Sequence, residues 1–256
     1  MRIGITERGD AGLDFTWYQK LADNNIDGAI LITKNITDAF IDHVLNAPKP
    51  VVIHATCTGW GGSWLEPNVP VYPDQLSMVK KLIAKGFDAS RIVIRMDPIF
   101  PIPEGLERCQ NVLNFILSED IPVRRIRISL YDEYPHVRTR LAAALHHPFY
   151  PNNLFGPTNE MMINTLEMLR KYPMFSFETC AETKFMQKFA YNTPNIITQG
   201  CVSAHDISLM EINADADSMA INCQNRFGCQ CLSCKTELLG NRHRCANGCL
   251  YCYWKD

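Results

Sequence analysis

The chain has 256 residues, 46% of them hydrophobic, with 25 Lys and Arg against 27 Asp and Glu for a net charge of −2. That is enough chain to bury the core of one α/β domain. It carries no basic footprint, so a nucleic-acid partner is unsupported though not excluded. No apolar run approaches the roughly 20 residues that span a bilayer, which predicts no membrane association. With no signal peptide to direct export, a cytoplasmic location is expected, and there eleven cysteines point to metal binding rather than to disulfides.

Strand-like and helix-like stretches alternate from the start. Residues 2–6 form a short apolar strand and 15–21 a helix; 27–33 is a nearly continuous apolar strand, followed by a helix over 37–45. Residues 50–56 repeat the pattern and run into a Gly-rich loop, 58–63, whose glycines suit turns better than a nucleotide cradle. Asp74 is the expected N-cap of a helix with Leu76, Val79, Leu82 and Ile83 on one face. Strands over 91–96 and 123–130 flank a helix over 104–117, and Arg124, Arg125 and Arg127 alternate with apolar residues as on a solvated or helix-covered strand face. An alanine-rich helix ends at His146 and His147, which read as a C-terminal cap rather than a metal site. A helix over 158–170, a strand over 174–179 and a shorter strand over 195–198 complete the series.

Strands apolar on both faces and separated by helices predict a buried parallel sheet. Six βα units and a seventh strand predict an α/β fold, a complete or partial TIM-like parallel barrel over residues 1–222. The remaining segment, 223–256, is expected to be an irregular cysteine-rich metal-binding tail packed on the barrel mouth.

In such barrels the C-terminal ends of the strands carry the chemistry. The candidates there are Arg8 and Asp10, Thr33, Lys34 and Asn35, His54 and Thr56, Arg95 and Asp97, Ser129, Tyr131 and Asp132, and Glu178 and Glu182. Arg95 and His54 lie in or beside apolar runs, where an unpaired charge costs several kcal/mol, so partners or a ligand are expected.

The tail holds seven of the eleven cysteines, and Cys245, Cys249 and Cys252 follow a C-x3-C-x2-C spacing. Three thiolates this close can wrap one face of a 4Fe-4S cube, leaving one iron open. With Tyr251 before the last cysteine, the triad is similar to the signature of radical S-adenosylmethionine (SAM) enzymes, in which the open iron chelates SAM. Ordinary members carry the triad near the start of the barrel, so its place at the end of this chain implies a circularly permuted barrel or a loop folded back onto the mouth. Candidate ligands of cofactor and substrate are the strand-end residues above, with Thr33, Asn35, Thr56 and Ser129 assigned to the cofactor. Tyr131, Cys223 and Cys234 are candidate hydrogen-atom donors.

The chain also resembles the bacterial family known as domain of unknown function 1848. The resemblance rests on residues 8–10, 33–35, 65–70, 97–99, 129–135 and 179–182, on Asn225 and Arg226 with Cys229 and Cys231, and on 248–253. It departs from that family's pattern at His243, Arg244, Ala246 and Asn247. The family's cysteine tail is itself similar to the radical SAM motif, which supports the cofactor but supplies no substrate: a small molecule, a nucleotide and a peptide all stay open. A reductase, flavodoxin or ferredoxin is the implied electron donor. Cys180, Cys201, Cys229 and Cys231 fall where the family has cysteine, and the resemblance implies that they hold a second 4Fe-4S cluster or a zinc ion, the cluster being favoured.

The competing reading is a zinc-stabilised barrel that binds or hydrolyses without radical chemistry. Cys231 and Cys234, with Cys249 and Cys252, form two C-x2-C pairs near the spacing of a structural zinc site.

Overall fold

The structure is a computed structural model that describes residues 1–23, 25–145, 150, 154–213, 217–221, 228–240 and 245–254. Cys223, Asn225, Arg226, His146, His147, His243 and Arg244, named above, lie outside the described residues.

Eight parallel strands are ordered β7-β6-β5-β4-β3-β2-β1-β8. They are β1 (Ile3–Ile5), β2 (Gly28–Thr33), β3 (Val51–Thr56), β4 (Ile92–Ile99), β5 (Arg125–Leu130), β6 (Ser176–Thr179), β7 (Ile196–Thr198) and β8 (Lys235–Glu237). Between them run α1 (Thr16–Leu21), α2 (Asp38–Leu45), α3 (Tyr72–Ala84), α4 (Pro103–Ser118), α5 (Pro135–Leu145), α6 (Asn159–Arg170), α7 (Thr183–Phe185) and α8 (Ala204–Leu209). The seven strands expected from the apolar runs are all present. The eighth comes from the segment read as an irregular tail, and its Lys235, Thr236 and Glu237 pair with β1.

Local chemistry sets the helix starts. Thr37, Thr158 and Ser203 each accept a backbone N–H three residues on, as Ser and Thr do at an N-cap. Asp74 is not the cap expected of it: α3 begins at Tyr72 with Pro73 beside it, and Asp74 lies in the first turn, where a carboxylate suits the helix dipole.

The sheet has two apolar faces. Outward residues such as Ala29, Leu31, Ile53, Ile94, Ile126 and Phe177 pack under Leu76, Val79, Leu82, Val112, Leu113 and Leu169 of the helices. Burying one such aliphatic side chain contributes about 1.5–3 kcal/mol, so this layer is the main source of stability. Inward residues Ile3, Ile5, Ile30 and Val52 share a second cluster with Cys180, Cys201, Cys229, Cys231 and Cys234. Residues of β1 thus reach the cysteines that follow β6 and β7, which requires the sheet to curl. Among the described residues β7 and β8 are its two edges and are not paired with one another.

The Gly-rich loop is a packing device. A Cβ on Gly61 would stand 2.0 Å from the Pro70 carbonyl oxygen, and Gly59 has φ +82° against the Arg108 backbone. None of residues 58–63 lines the cavity described next.

Candidate functional site

The C-terminal strand ends open into a cavity of about 240 Å³. Its wall includes Arg8, Asp10, Thr33, Lys34, Thr56, Arg95, Asp97, Ser129, Tyr131 and Asp132 from the strands and Cys245, Asn247, Cys249, Tyr251, Cys252, Tyr253 and Trp254 from the tail, with Cys180 and Cys201 also exposed to it. Asp97 reaches this wall because the β4–β5 register shifts between Met96 and Ile99, an irregularity of the kind that re-aims a strand residue. Its carboxylate accepts from Arg95 and from the Ser129 hydroxyl.

The tail folds back onto the mouth and is held there by residues from both ends of the chain. Asp10 accepts hydrogen bonds from Gly12 N, Thr33 Oγ1, Lys34 N and Asn35 Nδ2, and from Asn247 Nδ2 at 2.7 Å. Asn35 Nδ2 also donates to Asn247 Oδ1 at 2.7 Å. Asn247 stands between Cys245 and Cys249, so this buried polar set fixes the cysteine loop to the ends of β1 and β2. Asn68 Nδ2 donates to the Ala246 carbonyl at 2.8 Å and Leu250 N to the Leu65 carbonyl at 3.0 Å. Arg140 donates to the Cys252 carbonyl, and His136 bonds the Tyr253 carbonyl.

Lys34 places a cation beside the triad, electrostatically coupled to Cys249. Its Nζ donates to Glu66 Oε1 at 2.7 Å and to the Tyr251 hydroxyl at 2.8 Å, and the Tyr251 hydroxyl also donates to Glu66. Desolvation opposes the charge on Lys34, but Glu66 and then Cys249 outweigh it and raise the ammonium above its ordinary value. Burial pushes the Cys249 thiol up to about 12, with Lys34 working against it. A thiol held this way becomes a ligand by giving its proton up to an arriving metal.

Beneath the cavity lies a charged interior that corrects the expectation of a solvated or helix-covered arginine face. Arg127 is 1% exposed, and only Arg124 of the three points outward, onto Phe175. Arg125 Nε donates to Glu178 Oε1 and Arg125 NH2 to Asp206 Oδ1, each at 2.7 Å; Arg127 donates to Glu178. Ser203 Oγ donates to Asp206 Oδ2 at 2.7 Å. A polar–apolar alternation reads as a wet strand face when one sheet face meets solvent, and in a curled sheet the same pattern lines the inside.

His54 sits in this interior, fully buried, with neither ring nitrogen hydrogen-bonded among the described residues. Burial, then the charges of Arg127, Arg95 and Arg125, hold it well below its ordinary 6.5. The unfolded chain gains a proton here that the folded chain refuses, so stability is full above the unfolded value and falls as the pH drops below it, by up to about 1.4 kcal/mol per pH unit. Melting temperatures measured from about pH 7 to about pH 5 should fall more steeply for the wild type than for His54→Gln. Equal slopes would show that His54 is not the group responsible.

Of the residues singled out from the sequence, Arg8, Asp10, Thr33, Lys34, Thr56, Arg95, Asp97, Ser129, Tyr131 and Asp132 converge on the cavity with the triad. His54, Glu178, Glu182 and Asn35 do not line it. The Glu182 carboxylate accepts from Leu130 N at 2.9 Å and ties the turn after β6 to the end of β5. Glu66, Asn247 and Arg127 are not among the site candidates that the sequence offers. Glu66 lies within the Leu65–Pro70 segment that carries the family resemblance, and that signal could have flagged it.

Cys180, Cys201 and Cys231 form a second thiol site, their sulfurs within 4.8 Å of one another. Cys231 therefore joins Cys180 and Cys201, and among the described residues no metal-ligand group links it to Cys249 and Cys252 as the paired C-x2-C reading required. Cys57 and Cys109, both buried, have thiols pushed up to about 12 by burial and belong to the core between helices and sheet.

No helix among the described residues is long and apolar enough to cross a membrane. Comparison with solved structures finds a mutant of a GH128 (subgroup I) endo-beta-1,3-glucanase from Amycolatopsis mediterranei in complex with laminaripentaose. The two are 9% identical over 83% of this chain and 99% of that one, with a TM-score of 0.26, too low to carry an argument. No curated protein matches the chain. A sequence profile described as domain of unknown function (DUF1848) matches residues 15–254, and with nearly the whole fold and both cysteine sites inside that span, the chain belongs to the DUF1848 family.

Proposed function

We propose that this protein is a radical SAM enzyme in which Cys245, Cys249 and Cys252 hold a 4Fe-4S cluster with one iron open toward the cavity. The observation that carries this reading is the position of the triad: its three cysteines line the same cavity as the polar strand ends, on a loop fixed there by Asp10, Asn35 and Asn68. Three thiolates on one short loop suit a cube, three of whose irons each take one cysteine.

When bound, such a cluster supplies the electron that cleaves the sulfonium of SAM reductively. The chain supplies the surroundings. Lys34, with Glu66 and Tyr251, places a hydrogen-bonded cation next to Cys249 and offsets the negative charge that thiolates bring into a buried site. Arg95, Asp97, Ser129 and Thr56 offer donors and acceptors of both signs for the zwitterionic end of SAM or for a substrate. Tyr253 stacks on Tyr134 and Arg8 lies over Trp254, so the tail aromatics close the rim and restrict water, which would otherwise quench a radical. The substrate is a small molecule, a nucleotide or a peptide segment small enough for the cavity, and a flavodoxin, ferredoxin or reductase would deliver the electron.

The test is anaerobic purification followed by reduction in the presence of SAM. The protein should be brown, absorb broadly near about 400 nm, and convert SAM to deoxyadenosine and methionine. Colourless protein that leaves SAM intact after iron and sulfide reconstitution would sink the reading and favour a barrel whose tail is stapled by zinc.

A further inference from the structure

The curled sheet has a seam. Its edges, β7 and β8, do not pair among the described residues, yet the segments next to them press together. A Cβ on Gly200, just after β7, would stand 2.3 Å from the Gln230 carbonyl oxygen and 2.7 Å from Cys231 Cα. Leu232 N donates to the Val202 carbonyl at 3.0 Å. What fills the seam is sulfur: Cys180 follows β6, Cys201 follows β7, and Cys229 and Cys231 precede β8.

The spacing of these sulfurs identifies what they hold. Cys180 Sγ and Cys231 Sγ are 4.0 Å apart, and with Cys201 Sγ all three lie within 4.8 Å. Cys229 lies beside this group of three, within reach of the Cys231 backbone N–H. Four thiolates sharing one tetrahedral zinc at about 2.3 Å stand about 3.8 Å from one another. A cube spreads its thiolates over separate irons and needs wider spacing. Two backbone N–H groups already point at the sulfurs, Cys201 N at Cys231 Sγ (3.2 Å) and Cys231 N at Cys229 Sγ (3.5 Å), the usual outer support of a thiolate site.

A second observation concerns charge. Four thiolates on one zinc carry a net charge of about −2, which a buried site must offset. Arg95 and Arg127, both buried, face the cavity wall that Cys180 and Cys201 share, and each is electrostatically coupled to Cys201. Among the described residues, Arg95 Nε and Arg127 Nε and NH1 have no hydrogen-bond partner. Arg95 already pairs with Asp97 and Arg127 with Glu178, so it is the remaining donors of these guanidinium groups that are left to face a metal–thiolate centre.

We propose that Cys180, Cys201, Cys229 and Cys231 bind a single zinc ion that clasps the two edges of the sheet in place of strand pairing. The site is structural, distinct from the triad, and takes the place of the second iron–sulfur cluster that the sequence favoured. Binding converts the thiols to thiolates and releases their protons to solvent.

The experiment uses the full chain with Cys245, Cys249 and Cys252 all changed to alanine, so that the outcome does not depend on the radical SAM reading. Elemental analysis should find one zinc per chain and no iron, and adding Cys201→Ser should remove the zinc. Stripping zinc from the otherwise native chain with a chelator, a route that needs no further variant to fold, should lower the Tm and speed amide exchange at Ile196–Thr198 and Lys235–Glu237 more than in the helices. A brown triple variant carrying several irons, or a single iron, would overturn the assignment to zinc. A folded, metal-free chain whose exchange at those strands matches that of the loaded protein would overturn the clasp.

Discussion

Cys249→Ala is expected to lose essentially all cluster iron and all SAM cleavage while keeping the fold and the zinc of the seam. Cys249 is the most buried of the triad, and Lys34 and Tyr251 are arranged around it. A cube left with two thiolates has no third anchor, and the loop carries no other cysteine to substitute for it. The effect should be all-or-none, unlike that of the supporting residues. Asp10→Asn leaves every thiol in place but replaces an acceptor of five hydrogen bonds with a group that can accept fewer, and its expected cost is about 10–100-fold in cluster affinity, the range for residues that orient ligands. Iron and sulfide content of the reconstituted variants, with deoxyadenosine formation, separates the two. Cys249→Ala that retains full iron content would remove the triad from the ligand set.

The strands and the triad could be read from the chain because their signals are local. β2, β3 and β4 are apolar on both faces, which only a sheet covered on both sides explains, and the triad fits within eight residues. What could not be read depends on pairs distant in sequence. Asn247 meets Asp10 across 237 positions, and neither residue has a local pattern that announces the other. Arg125 and Arg127 look like a solvated face until Glu178 from β6 and Asp206 from α8 are brought to them. β8 is three polar, half-buried residues that no periodicity marks as a strand; it exists because β1 offers an unpaired edge and the residues before it are held at the seam. The sulfur grouping was hidden from spacing, which paired Cys231 with Cys234, but not from the family resemblance, which set Cys231 with Cys180, Cys201 and Cys229; the curl of the sheet brings the first three of these sulfurs within 4.8 Å.

Glu178→Leu should be among the most destabilising single changes in the chain, although Glu178 stands where a barrel carries catalytic residues. Its carboxylate is 2% exposed and receives Arg125 Nε, Arg125 NH2 and Arg127 NH2. Removing it leaves Arg127, among the described residues, with Asp206 Oδ2 as its one carboxylate partner, at 3.7 Å, in an interior that already holds Arg95 and His54. Breaking a buried pair from one side costs about 3–5 kcal/mol because the other charge remains desolvated. In a chain of this size that corresponds to a fall in Tm of about 10 °C. The double variant Glu178→Leu with Arg127→Met should recover much of the loss, since Arg125 keeps Asp206 at 2.7 Å and no guanidinium is stranded. Chemical denaturation of the two variants measures the difference directly. A cost below about 1 kcal/mol for Glu178→Leu, the size expected of an exposed pair, would mean that water reaches this interior and that the arginines are not held by the carboxylates.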